Sequence, residues 1–141
     1  MLSYLKLIMI SIDNNNYELI TILGPTASGK TKLAVELAMK INGEIISADS
    51  RQIYKGMDIG TGKDLDEYSK GKSTINYHLI DILDPNNNYS VYQFKNDFIN
   101  VYRNVDKNKN SILCGGTGLY IESILLDYQM SNVKPNEELR L

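Results

Sequence analysis

Residues 24–31 read GPTASGKT, a full match to the spacing G-x-x-x-x-G-K-[ST], whose chemistry is the holding of phosphate. In such a loop the backbone N–H groups, here those of residues 27–30, can turn inward on phosphate oxygens. Lys30 adds a full positive charge, the N-terminus of a following helix adds a partial one, and the Thr31 hydroxyl can ligate Mg²⁺. Gly24, Pro25, Thr26, Ala27, Ser28, Gly29, Lys30 and Thr31 are therefore the expected phosphate cradle, with Thr31 as its metal-binding residue. A second chemistry-bearing group is Asp49, which follows the apolar run 44–48 (EIISA).

A phosphate loop alone does not distinguish a motor ATPase, a GTPase, a kinase or a transferase. Motor and switch NTPases carry a hydrophobic strand ending in an Asp that supports Mg²⁺ and a water. The best equivalent here, residues 111–114 (SILC), runs into Gly115-Gly116 with no carboxylate. What remains is Asp49, placed where small P-loop transferases keep the acid that orients or deprotonates an acceptor. The residues thus point to group transfer, with a turn cap formed beside Ser50 as the plain structural alternative for Asp49.

These groups need elements to position them. Residues 18–23 (ELITIL) read as a short buried strand, and residues 30–41 (KTKLAVELAMKI) as a helix with Leu33, Leu37, Ala38 and Ile41 on its apolar side. Residues 44–48 read as a second strand. Ligands bind at the carboxyl ends of strands in open α/β sheets, and pairing beside the first strand would bring Asp49 to the phosphate loop. Residues 54–66 (YKGMDIGTGKDLD) are glycine-punctuated and read as a loop over the site, and residues 67–74 as polar and peripheral. Residues 77–83 (YHLIDIL) look like a third strand. Ser90-Val91-Tyr92-Gln93 has the capping-box form, and Val91, Phe94, Phe98, Val101 and Val105 follow at helical spacing. Residues 111–114 make a fourth strand, and Gly115-Gly116-Thr117-Gly118 opens a helix over 119–128. The alternation predicts an α/β fold, a P-loop NTPase-like parallel sheet with crossover helices.

Composition sets the bounds. A chain of 141 residues, 43% hydrophobic and 23% charged, is the size of one soluble domain, and a net charge of -2 gives no global signal for nucleic acid. Cys114 stands alone, so there is no disulfide framework, and it reads as a buried strand residue in a reducing, cytoplasmic setting. Residues 2–12 (LSYLKLIMISI) are apolar but carry Lys6, lack a small-residue cleavage site and fall far short of the roughly 20 apolar residues that span a membrane. Residues 1–17 are expected as an extension that packs or frays, with Met9 an alternative start and no membrane partner. The sole histidine, His78, sits on a strand and reads as structural, and most of Tyr54, Tyr77, Tyr89, Tyr92 and Tyr120 as packing residues able to stack on bases.

Taken in order, GPTASGKT, DSRQIYKGMDIGTGK (49–63), HLIDILDP (78–85), YSVYQF (89–94) and GGTGLY (115–120) resemble the motifs of the tRNA dimethylallyltransferase family, also called IPP transferases. The resemblance runs from the first strand to nearly the end of the chain. It implies that the loop holds dimethylallyl diphosphate with Mg²⁺, and that the acceptor is the exocyclic amine of the adenosine 3′ of the anticodon in tRNA. It also implies that Asp49 accepts the amine proton, that Asp49, Ser50, Arg51 and Gln52 contact the anticodon stem-loop, and that Thr117 sits against it. The target base would leave its stack to reach the pocket.

The match departs from the family in two places. Family members usually read GTAKP where this chain has Gly60-Thr61-Gly62-Lys63-Asp64, and they continue into a helical tRNA-gripping insertion and later arginine-bearing elements. Residues 18–130 are thus expected to be a truncated transferase core and residues 131–141 the start of the insertion. The full-length form is expected to be a monomer. Two other readings stay open: a small P-loop nucleoside or metabolite kinase using ATP, and an inactive fragment or half of a split transferase that only binds diphosphate.

Overall fold

The computed structural model describes residues 4–12, 15–70 and 73–131. In chain order its elements are β1 (Tyr4–Ile12), β2 (Asn15–Leu23), α1 (Lys30–Ile41), β3 (Gly43–Ser47), a 3₁₀ turn (Leu65–Tyr68), β4 (Ser69–Lys70), β5 (Ser73–Thr74), β6 (Tyr77–His78), α2 (Val91–Asn104), β7 (Asn110–Gly115) and α3 (Gly118–Leu125). The main sheet has the order β1-β2-β7-β3-β6, with β2, β7, β3 and β6 parallel. The expected parallel α/β sheet is present.

Side chains alternate between the two faces of these strands, so each strand feeds two cores. Leu19, Ile46 and Leu113 face α2 and α3, meeting Phe94, Phe98, Tyr120 and Ile121. Ile22, Ile45, Ile112 and Cys114 face α1, meeting Ala34, Val35 and Ala38. All five residues of β3 are buried, as expected of a parallel strand covered on both sides. Helix α1 packs through small residues. A Cβ on Gly43 would come within 3.3 Å of the Ala38 Cα, so helix and strand lie nearly in backbone contact. The buried stripe is consequently Ala34, Val35 and Ala38, and Leu33, expected on the apolar side, is exposed.

Several sequence expectations change here. β1 pairs antiparallel with β2 along its length, from Tyr4 opposite Leu23 to Ile12 opposite Asn15. Residues 4–12 are therefore an edge strand, and the first core strand starts at Asn15 rather than residue 18. The Ile- and Leu-rich run expected as an extension has strong strand propensity, and it satisfies the outer ladder groups of β2. β7 lies between β2 and β3, so Asp49 reaches the site from one strand further away than simple adjacency predicts.

The third strand is only Tyr77–His78. Beyond it Leu79 (φ 61°) and Asp81 (φ 55°) adopt left-handed backbone, and the chain pairs instead with the segment after β3, Ile82 N–H donating to Ile53 O at 2.9 Å. This turn sends Leu79 into one core and Ile80 into the other. Residues 67–74 are not all peripheral either, since Tyr68 is 3% exposed and packs with Ile75 against α1. Residues 132–141 lie outside the described residues. Among the described residues no helix is long and apolar enough to cross a membrane.

Candidate functional site

The phosphate loop leaves β2 and enters α1. Ala27 (φ 59°) and Gly29 (φ 82°) are both left-handed, an alternation that turns successive N–H groups into one concavity. Gly29 is the residue that immediately precedes the helix, so the concavity opens onto the N-terminus of α1. The Lys30 ammonium folds back on its own loop and donates to the Pro25 carbonyl at 2.6 Å. Gly116, just past β7, keeps the space beside it open: a Cβ there would stand 3.9 Å from the Lys30 Nζ.

Asp49 is held by a knot between the ends of β3 and β7. Ala48 N–H donates to Cys114 O at 2.8 Å and Thr117 N–H to Ala48 O at 3.1 Å. Ser50 N–H donates to the Thr117 hydroxyl at 2.9 Å, which donates to Ser50 Oγ at 3.2 Å. Gly115 permits this closeness, because a Cβ there would overlap the Ala48 carbonyl. Asp49 Oδ1 accepts Arg51 N–H at 3.0 Å, so the turn-capping reading of Asp49 describes part of what it does. Gln52 is buried. Its amide oxygen accepts the Ser47 hydroxyl at 2.8 Å, and its NH₂ donates to Gly62 O at 2.7 Å.

A pocket of about 630 Å³ opens between these parts. Thr26 to Thr31 and Lys32 form one side, and Asp49, Gln52, Thr61, Gly62, Asp64, Asp66, Glu67, Tyr68, Cys114 and Gly115 the rest. The structure thus joins Thr26, Ala27, Ser28, Gly29, Lys30, Thr31, Asp49 and Gln52 in one cavity. It does not put Gly24, Pro25, Ser50, Arg51 or Thr117 on the pocket wall; Ser50 and Thr117 instead tie the strand ends, and Arg51 is exposed. Thr61, Gly62 and the acidic wall of Asp64, Asp66 and Glu67 were not singled out from sequence. Thr61, Gly62, Asp64 and Asp66 fall in the glycine-punctuated loop read as lying over the site, whereas Glu67 falls in the stretch read as peripheral, and neither carries a charge-spacing pattern.

The cavity carries charge of both signs. Lys30 and Lys32 share its lining with the carboxylates of Asp49, Asp64, Asp66 and Glu67. Cys114 lines the pocket, but burial pushes its thiol up to about 12, with Lys30 lowering and Asp49 raising it, so it stays protonated and is no nucleophile. Lys63 is 3% exposed. Burial opposes its charge, yet hydrogen bonds to Asp81 (2.5 Å) and Asp58 (2.9 Å) more than offset this and raise its pKa. His78 lies away from the pocket wall, its Nε2 2.7 Å from Glu44 Oε2, consistent with a structural role. Tyr120 stacks on Phe94 at 4.2 Å and Tyr77 packs on Tyr68 at 4.7 Å, so both are packing residues.

The sequence model of the IPP transferase family matches residues 52–141. A tRNA dimethylallyltransferase 2 of Phocaeicola vulgatus is 58% identical over 125 residues, covering 88% of this chain and 41% of the relative. A tRNA dimethylallyltransferase 1 of Parabacteroides distasonis is 56% identical over 126 residues, covering 89% and 41%. The crystal structure of the full-length tRNA isopentenylpyrophosphate transferase from Bacillus halodurans superposes with a TM-score of 0.74 at 40% identity, covering 86% of this chain and 40% of that one. A eukaryotic dimethylallyltransferase captured acting on tRNA superposes with a TM-score of 0.72 at 29% identity, over 85% of this chain and 30% of its own. The chain spans about two fifths of the length of the curated relatives it matches.

Proposed function

The chain belongs to the IPP transferase family, and from that premise we propose that it transfers a dimethylallyl group from dimethylallyl diphosphate to the exocyclic amine of the adenosine 3′ of the anticodon in tRNA. The observation that carries this reading is the single cavity in which the phosphate loop faces Asp49.

The reaction breaks the allylic C–O bond and forms a C–N bond. Negative charge grows on the departing diphosphate while positive charge grows on the allyl fragment. The cavity is lined by groups of both signs. Lys30, now on the Pro25 carbonyl, can swing to the diphosphate, and the N–H groups of the loop are already aimed there. The carboxylates of the same lining are available to the allyl and acceptor groups. An adenine amine is a weak nucleophile, its lone pair being delocalised into the ring, so a group that fixes it and takes its proton is needed. Asp49 has that role, held in place by Arg51 N–H and the knot through Ser50 and Thr117.

A divalent metal fits the oxygen-only donor set. Thr31 lines the cavity, and its hydroxyl, together with substrate phosphates and water, would hold Mg²⁺. When bound it would add positive charge at the leaving diphosphate.

The test is a mass measurement on an anticodon stem-loop RNA incubated with the chain, Mg²⁺ and dimethylallyl diphosphate, with a parallel Mg·ATP arm. The expected result is one C₅H₈ addition, reduced about 100-fold or more in both Lys30→Ala and Asp49→Asn. Phosphate transfer in the ATP arm without prenylation, or prenylation that survives both substitutions, would overturn the reading.

A further inference from the structure

The loop over residues 54–63 is built more rigidly than its glycines suggest. Lys63 is buried beneath it, its ammonium donating to Tyr54 O (2.8 Å), Asp58 Oδ1 (2.9 Å) and Asp81 Oδ1 (2.5 Å). Gln52 holds Gly62, the Thr61 hydroxyl holds Met57 O at 2.6 Å, and Lys55 N–H holds Leu83 O at 2.8 Å. Of the ten described residues with positive φ, six are in or beside this loop: Gly56, Gly60, Gly62, Asp64 and, on the segment that Lys63 grips, Leu79 and Asp81. Left-handed backbone at Leu79 and Asp81 persists only where the surroundings over-determine it.

What this scaffold presents is apolar. Ile59 is 100% exposed and Met57 46%, on a tip between Gly56 and Gly60. Neither lines the pocket, so neither is placed to bury the allyl tail. The tip is nevertheless close to the pocket. Thr61 lines it, and two residues of extended chain place the Ile59 Cα no more than about 7 Å from the Thr61 Cα. Exposed Arg51 and Lys55 stand at the root of the same loop, where phosphates of a bound strand would be welcome.

We propose that Met57 and Ile59 form a preformed apolar wedge that packs on the nucleobase next to the acceptor base and holds the acceptor out of its stack. Apolar side chains inserted between bases are a general means of unstacking nucleic acid, and a rigid wedge loses little conformational freedom on binding. The inference rests on the transferase reading for its partner, a single-stranded RNA loop, and nothing else about the wedge depends on turnover.

The experiment uses an anticodon stem-loop carrying 2-aminopurine beside the acceptor base. Its fluorescence reports unstacking, its anisotropy reports affinity, and pyrophosphate binding is measured separately. Ile59 is fully exposed, so Ile59→Ser leaves the fold intact. The expected result is RNA affinity at least about five-fold weaker and a lost 2-aminopurine rise in Ile59→Ser, both restored in Ile59→Leu, with pyrophosphate affinity unchanged. Wild-type affinity and fluorescence in Ile59→Ser would overturn the wedge, as would failure of the wild-type chain to bind the RNA. Unchanged RNA binding with lost self-association would reassign the tip to a second copy of this chain. An intact wedge signal without prenylation would instead count against the transfer reaction alone.

Discussion

Gly115 is the residue on which the site's geometry is most sensitive. Its missing Cβ lets Ala48 bond both Cys114 O and Thr117 N–H, and this closeness sets Asp49 against the phosphate loop. Gly115→Ala forces backbone apart rather than a flexible side-chain end, so the expected loss is at the upper end of overpacking costs, about 2–3 kcal/mol. A urea midpoint within error of wild type would contradict this. From sequence, Gly115 was visible as the place where an expected carboxylate was missing and as the start of the GGTGLY motif, with no sign of its packing role. Its packing role depends on Ala48, 67 positions earlier, being brought to it by the strand order.

Among the elements, α2 is where local sequence and structure agree most fully. The Ser90 hydroxyl accepts Gln93 N–H at 3.2 Å and the Gln93 side chain accepts Ser90 N–H at 2.8 Å, completing the box expected from S-x-x-Q. Ser90→Ala removes one half of it and should cost about 1 kcal/mol in urea unfolding. Because α2 contributes nothing to the pocket wall, pyrophosphate affinity should stay unchanged, and a parallel loss of binding would show that α2 supports the site. The third strand shows the opposite. YHLIDIL has the apolar content of a strand, yet only Tyr77 and His78 pair with β3. β3 ends at Ser47, so the later residues have no partner there, and they turn through Leu79 and Asp81 to pair with the segment around Ile53. A strand's length is set by its neighbour, which the run itself does not encode.

At the scale of the whole molecule, Glu44 joins the sheet to the segments beside it. The residue is buried, and its carboxylate accepts Lys109 (2.5 Å) and Asn76 (2.8 Å) and lies 2.7 Å from His78 Nε2. Burial acts to raise its pKa, but the hydrogen bonds from Lys109, His78 and Asn76 together outweigh it and lower it from 4.5 to about 2. A carboxylate depressed in the folded state stabilises fully above its unfolded pKa and loses that contribution as pH falls. The window is therefore from about 4.5 down to about 2. Urea midpoints measured from pH 7 to pH 3 should fall more steeply for wild type than for Glu44→Gln; parallel slopes would refute the linkage. The sequence by itself determined the phosphate loop, the alternation of strands and helices, the cap of α2 and the family, because these are local patterns read by a backbone over a few residues. Only the tertiary structure decided that β7 separates β2 from β3, that β1 closes the sheet edge, that Gln52 and Lys63 brace the loop, and that Asp49 and Lys30 line one cavity. Those facts rest on contacts between residues distant in the chain, where the energy of burial and of satisfying polar groups selects one arrangement among several that the local patterns allow.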